Sequence, residues 1–433
     1  MPRPNILYLH SHDSGRYVQP YGHAIPTPSI QSLAQEGVLF RQAFCAGPTC
    51  SPSRAALVTG MAPHSAGMIG LAHRGFALND YGQHIANVLQ AAGYHTALAG
   101  VQHVAARPET IGYDQILTQG RPTVANVAPA AGDWLVQAPS EPWFLSVGFF
   151  ETHREYPEPA ASEDLRYTLP PPTLPDTPET RYDMAAYQAS ARIYDQGVGA
   201  VLAALAASGQ ADNTLVINTT DHGLAFPGMK CNLTDHGIGV MLIMRGPGGF
   251  EGGRVVDALV SHIDLFPTIC ELASVTPPPW LQGRSLLPLL HGQASEIREE
   301  IHAEVTYHAA YEPMRCVRTR RWKYIRRYDG RETPVLPNCD DSPSKSVRLE
   351  HGWAERPVDA EQLYDLVYDP QEAHNLGLLN THHAVLDEMR GRLERWMQAT
   401  DDPLLRGPVP APSGAQVNDP DGLSPQEECL IIP

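Results

Sequence analysis

The sequence lacks a disulfide framework. Its seven cysteines, at positions 45, 50, 231, 270, 316, 339 and 429, have no paired spacing and form no CxxC zinc signature, which fits free thiols in a reducing compartment. It also lacks any apolar run near the ~20 residues needed to cross a bilayer. Basic excess is absent too: a net charge of −17 excludes a nucleic-acid surface, and an anionic substrate would need a local basic pocket instead. No charged-then-apolar leader precedes the first apolar segment, NILYLHS, so a cytoplasmic location is the expectation. Without secretion, Asn218-Thr219-Thr220 and Asn232-Leu233-Thr234 carry no meaning as glycosylation sites. There is no internal repeat.

What is present is an alternation of short apolar runs with helical patterns. NILYLHS, VLFRQAF, HTALAG, WFLSVGFF and TLVINTT read as buried strands; PSIQSLAQEG, HIANVLQAAG and a long stretch near 179–207 read as helices. The pattern predicts an α/β fold with a large, doubly wound, mostly parallel sheet domain over residues 1–305. After Leu290 it changes: RCVRTRRWKYIRRYDG and EQLYDLVYDP alternate like antiparallel strands, and Ala384 to Thr400 reads as a helix. A smaller α+β domain is therefore expected over 306–402, with 403–433 as a wrapping or disordered tail. The basic run 315–331 reads most simply as a solvated strand face, and the proline-rich stretch Tyr156 to Thr180 as an extended loop over the rim.

Polar residues fall where four strands end. Asp13 follows the first strand, His103 follows HTALAG, His153 follows WFLSVGFF, and Asp221-His222 follow TLVINTT. Open α/β sheets bind ligands outside the carboxyl ends of their strands, so these groups are expected on one rim. Taken singly, each has an ordinary explanation as a turn, cap or packed residue. Beside them stands Cys50-Ser51-Pro52-Ser53-Arg54, opening the helix-like CSPSRAALVTG. A cysteine with proline two residues on and arginine four on is the recognition pattern for oxidation to formylglycine, an aldehyde nucleophile. At a helix N-terminus, free N–H groups and the dipole favour an anion.

With RPNILYLHSHDSG, TPSIQSLAQEGVLFRQAF, CSPSRAALVTG, GYHTALAGVQH, Thr152-His153, TTDHG and LYDLVYDP in that order, the chain resembles the type I sulfatases of the alkaline phosphatase superfamily. DHGLAFPGMKCNL and LPPPTLPDTPETR look most like the heparan N-sulfatase (sulfamidase) branch. The resemblance implies hydrolysis of a sulfate ester or sulfamate, on a small saccharide. Cys50 would become formylglycine, made by a formylglycine-generating enzyme; its hydrate would attack sulfur and re-form the aldehyde as sulfate leaves. Arg54 would position it, and His103 would take the proton. His153 and Lys230 would serve the leaving group and the sulfate oxygens, with Gln102 and His236 as further substrate contacts. Asp13, Asp221, His222 and Cys50 would hold one divalent metal, calcium in most relatives.

Two departures bear on this. His12 stands where the family has an acid, and imidazole suits manganese or zinc better than calcium. Val101 stands where a sulfate-binding lysine is expected. A phosphodiesterase or phosphonate monoester hydrolase on the same rim is the alternative enzyme, and a non-catalytic binding protein the alternative of another class. The nucleophile is tested by mass. Protein made in its own host or beside a formylglycine-generating enzyme should yield tryptic peptide 42–54 with an aldehyde at Cys50 and an alkylatable thiol at Cys45; an intact Cys50 thiol removes the aldehyde from the mechanism.

Overall fold

The first strand is apolar because both of its faces are covered. In β1 (Asn5–His10) every residue is buried, with Ile6 and Tyr8 in one core and Leu7 and Leu9 in the other. The structure is a computed structural model that describes residues 3–160 and 164–433. In chain order the next strands are β2 (Val38–Phe40), β3 (Ala43–Phe44), β4 (His95–Gly100), β5 (Gln115–Ile116) and β6 (Trp143–Gly148). After these come β7 (Thr214–Thr219), β8 (Leu242–Arg245), β9 (Arg254–Val256) and β10 (Val260–Ser261).

Eight of these strands form one sheet in the order β5-β4-β6-β1-β7-β8-β2-β9. Only β8 runs antiparallel, against both β7 and β2. The expected doubly wound, mostly parallel sheet is present. The segment VLFRQAF divides, however: β2 joins the large sheet, and β3 pairs with β10 in a two-stranded ladder. Between them Arg41 turns outward to an ion pair with Asp257. Because β4, β6, β1 and β7 are parallel neighbours, their carboxyl ends share one rim. At that rim Gly148 is sterically required, since a Cβ there would lie 2.4 Å from His10 Cε1.

Four antiparallel strands follow: β11 (Glu300–Tyr307), β12 (Tyr311–Thr319), β13 (Trp322–Arg327) and β14 (Glu361–Asp365), in that spatial order. One face of this sheet, through Ile301, Val305 and Ile325, completes a core of the large sheet. The other packs on the helix His383–Ala399 through Val317, Tyr324 and Leu363 against Leu386, Leu393 and Met397. The solvated reading of the basic run holds for Arg320, Arg321 and Arg326, which are exposed, and is overturned for the rest of its centre: Arg315 and Lys323 are 0% exposed and Arg318 is 5% exposed. Their charges are instead met by carboxylates, Arg315 by Asp402, Arg318 by Asp235, and Lys323 by Asp235 and Glu372.

The final segment wraps the molecule. Val409 O accepts from Tyr307 Oη at 2.8 Å, Asn418 Oδ1 accepts from Arg74 at 2.7 Å, and β15 (Gln416–Val417) pairs with β16 (Leu430–Ile431). In the proline-rich stretch the chain runs without helix or strand up to Thr177, apart from residues 161–163, which lie outside the description. There Thr177 caps the helix Pro178–Ala207. Among the described residues no helix is long and apolar enough to cross a membrane.

One buried knot ties the units together. Arg315 donates to both oxygens of Asp402 at 2.6 and 3.1 Å, and to Val305 O at 2.8 Å. Glu304 accepts from His64 N at 2.7 Å and pairs closely with the His64 ring. Replacing one partner strands the other charges away from water. Arg315→Met should therefore cost about 3–5 kcal/mol, read as a lower denaturant midpoint; a loss under about 1 kcal/mol would show that water or rearrangement replaces the guanidinium.

Candidate active site

Cys50 is the first residue of the helix Cys50–Thr59, all ten residues of which are buried. Gly60, in the left-handed region at φ 69°, closes that helix through its N–H to Ala56 O. The Cys50 Sγ lies 3.4 Å from His222 Nε2. Burial pushes the thiol pKa far up, Lys230 and Arg54 oppose that, and Asp13 and Asp221 add to it. An unmodified thiol here is protonated and a poor nucleophile.

The loops after β1 and β7 meet above this helix. Asp221 Oδ1 accepts from Asp13 N at 2.8 Å and His222 N at 2.9 Å; Oδ2 accepts from Arg54 Nη2 at 2.9 Å and lies 3.2 Å from His12 Nδ1. Arg54 also reaches His10 Nδ1 at 2.6 Å and Ser11 O at 2.8 Å, so its fork spans two strand ends. Although burial raises the Asp221 pKa, His222, Arg54 and His12 together hold it well below the usual carboxylate range. Asp13 and His103 both have left-handed backbones, φ 46° and 52°, a conformation that clusters at functional sites.

One ligand atom each from His12, Asp13, Cys50 and Asp221 lie within 4.8 Å of one another, all from buried residues. Asp13 Oδ1 makes no hydrogen bond although it is buried, and stands 3.3 Å from His222 Nε2. A buried carboxylate oxygen without a donor beside a second carboxylate is a cation site in waiting, so the residues fit a divalent metal. His12 brings a nitrogen donor, kept neutral by burial and by Arg54.

One ligand atom each from His12, Cys50 and His103 also lie within 4.8 Å of one another, and His103 Nε2 pairs with His73 Nδ1 at 2.9 Å. His153 is set edge-on to His12 with ring centroids 5.4 Å apart, and its Nδ1 meets Arg154 O at 2.5 Å. Lys230 Nζ stands 3.2 Å from Asp13 Oδ2 and 2.9 Å from Asp340 Oδ2. Burial alone would lower the Lys230 pKa, but Asp13 and Asp340 more than offset it, and the amine stays charged.

Two residues singled out by sequence stand elsewhere. Gln102 spends its amide on its own turn, taking Val104 N and Ala105 N on Oε1 and donating to Ala105 O, so it does not replace the lysine absent at Val101. His236 lines a separate cleft with Arg16 and Arg318. Several neighbours were missed. Asp340 and buried His308 arrive from the C-terminal half and act on Lys230 and on each other. Arg154 grips Asp183 through two bonds, at 2.7 and 2.8 Å, beneath Tyr156 and Phe226. Only the histidine of the tripeptide Thr152-His153-Arg154 had drawn attention; the arginine beside it was the available signal.

Comparison with known proteins follows the same lines. Residues 4–275 match the family model described as Sulfatase, and residues 229–351 match that described as N-sulphoglucosamine sulphohydrolase, C-terminal. The N-sulphoglucosamine sulphohydrolase of Homo sapiens is 31% identical over 93% of this chain and 92% of its own. An ulvan-active sulfatase of Formosa agariphila is 28% identical over 95% of this chain and 83% of its own. In structure, a putative sulfatase from Bacteroides thetaiotaomicron superposes with a TM-score of 0.73 at 22% identity, covering 98% of this chain and 100% of that one, a likeness of fold.

The metal site is tested at Asp13. Asp13→Asn should lower bound divalent metal from about one per chain to near zero and cut turnover on the order of 100-fold or more, read by elemental analysis beside activity. Full metal content in that variant would move the site away from Asp13.

Proposed function

The chain belongs to the sulfatase family, in its sulfamidase-like branch, and on that premise we propose that it hydrolyses a sulfate ester or sulfamate on a small saccharide through a formylglycine formed at Cys50. The observation that carries the reading is the position of Cys50, on a helix N-terminus within reach of buried groups fit to hold a cation. A saccharide substrate is supported by the names of the relatives, and a formylglycine-generating enzyme is the partner that maturation requires.

A formylglycine supplies a nucleophile that can release sulfate without direct attack of water on a sulfate ester. Asp13, Asp221 and His222, with His12 and the modified Cys50, would hold one divalent metal, calcium by resemblance; bound there, it supplies Lewis-acid stabilisation of charge on a sulfate oxygen. The chain's own side chains do the rest. Arg54 locks Asp221 and the end of β1 in place, so the nucleophile and the ligands keep a fixed spacing. His103 takes the proton released at residue 50 and shares it with His73, its partner at 2.9 Å. Burial together with His73 and Arg54 keeps His103 well below its ordinary pKa, hence neutral and able to accept that proton. His153 would serve the leaving atom and Lys230 the sulfate oxygens, both groups acting on the same Asp340 carboxylate. The site is closed, with Cys50, Asp13, Asp221 and His222 each at most 3% exposed, and one water has to be admitted after sulfate leaves to rehydrate the aldehyde.

Paired sulfate and phosphate esters of one aryl leaving group test the reading with the matured enzyme. Sulfate turnover should exceed phosphodiester turnover by orders of magnitude and vanish in Cys50→Ala. The reverse preference would make the protein a phosphodiesterase or phosphonate monoester hydrolase.

A further inference from the structure

The cleft lined by His236 holds more positive charge than its acids offset. It encloses about 370 Å³ among Arg16, His23, Gln42, Asp235, His236 and Arg318, and none of its lining residues belongs to the Cys50 cluster. Arg16 and Arg318 set their guanidinium carbons 4.6 and 4.5 Å from the centroid of one ring, Phe44. Arg318 donates to Asp235 Oδ2 at 3.0 Å and to Gln42 Oε1 at 3.1 Å; Lys323 takes Asp235 Oδ1 at 2.6 Å and Glu372 at 3.0 Å. Arg16 donates to Ala43 O at 2.9 Å, forms no hydrogen bond to a carboxylate, and keeps its Nε buried without a partner. His236 Nε2 is likewise buried and unpartnered. Room for the first guanidinium depends on Gly239, where a Cβ would stand 3.0 Å from Arg16 Cζ.

Three cations thus face two carboxylates, one of them weak. Burial pushes Glu372 up to about 7, with Lys323 opposing and Asp235 adding, so near neutral pH the imbalance grows. Charge withdrawn from water and left unpaired is costly, and an incoming anion offsets it. We propose that this cleft is an oxyanion-binding site, taking inorganic sulfate or a sulfate or carboxylate group of a larger molecule between Arg16, Arg318 and His236. Arg318 spends Nε and Nη2 on Asp235 and Nη1 on Thr319 O, so it contributes charge, and the donors left for the anion are those of Arg16 and His236 Nε2.

Gln42→Glu sets a permanent carboxylate beside Arg318. It should raise the Tm in chloride buffer by about 2 °C or more. It should also weaken inorganic sulfate binding by about tenfold or more at one site in calorimetry, with turnover of a monosulfated aryl ester unchanged. Arg16→Gln should lose the same site, which keeps the test open if the first variant folds poorly. A second readout distinguishes the sources and rests on the saccharide-hydrolase reading. If the occupant is a second anionic group of the substrate, KM rises in both variants for a disulfated saccharide and not for a monosulfated one; if it is the free ion, only the calorimetry changes. Identical sulfate isotherms and identical KM values across wild type and both variants overturn the proposal. Calorimetry and melting need no turnover, so they decide the matter even if the hydrolase reading fails.

Discussion

The rim depends on the Asp221 carboxylate. It receives backbone N–H groups from Asp13 and His222, the Arg54 fork and the His12 ring, and so joins the ends of β1 and β7 to the helix that carries Cys50. A buried acid with three donors and an imidazole beside it is stable as an anion, whereas the two backbone N–H groups without it would be buried unsatisfied. Ser53 Oγ donates to Asp221 O at 2.5 Å, so the same residue also fixes the helix by its backbone. The arrangement explains why the Cys50 position can be so closed: most of the polar atoms around it hold one another, and among the exceptions Asp13 Oδ1 faces the candidate cation site.

The smaller sheet completes the site as well as the fold. Lys230 sits in the large unit, yet one of its two carboxylate partners is Asp340, beyond β13, and His308 lies in the turn between β11 and β12. Ser344 Oγ donates to Asp183 Oδ2 at 2.5 Å, and Asp183 anchors Arg154 at the rim. Positions of rim side chains are thus set partly by how the C-terminal sheet seats, and the Arg315 knot with Asp402 and Glu304 stabilises that seating.

The sequence showed the large sheet and most of the rim because both follow from local rules. A parallel strand buried on two faces is a continuous apolar run, and the residue after it lands at the carboxyl end, so Asp13, His103, His153 and Asp221 could be placed without contacts. Pairings across long separations were not legible. Arg315 meets Asp402 across 87 positions and Lys230 meets Asp340 across 110, and nothing in the spacing links them. For the same reason the buried part of the basic run was misread: a strand's burial depends on what covers its second face, here the helix His383–Ala399. Gln102 is a different case, because proximity in the chain to a rim residue says nothing about where a side chain spends its hydrogen bonds.

Charge balance decides how an anion reaches this site. The net charge of −17 repels a sulfated molecule at long range, and the Lys230 cation is flanked by Asp13 and Asp340. Arg54 is likewise spent on Asp221, and Val101 offers no charge at all. The fields of these pairs cancel beyond a few ångströms, and salt screens what remains over about 8 Å. Attraction toward the rim therefore acts only at contact. In the proposed reading a sulfate would gain from Lys230 only when its oxygen comes within hydrogen-bond distance and shares the amine with Asp340. Recognition of that kind rewards shape and hydrogen bonding over net charge. That is the physical ground for proposing a small substrate over a polyanion gathered from afar.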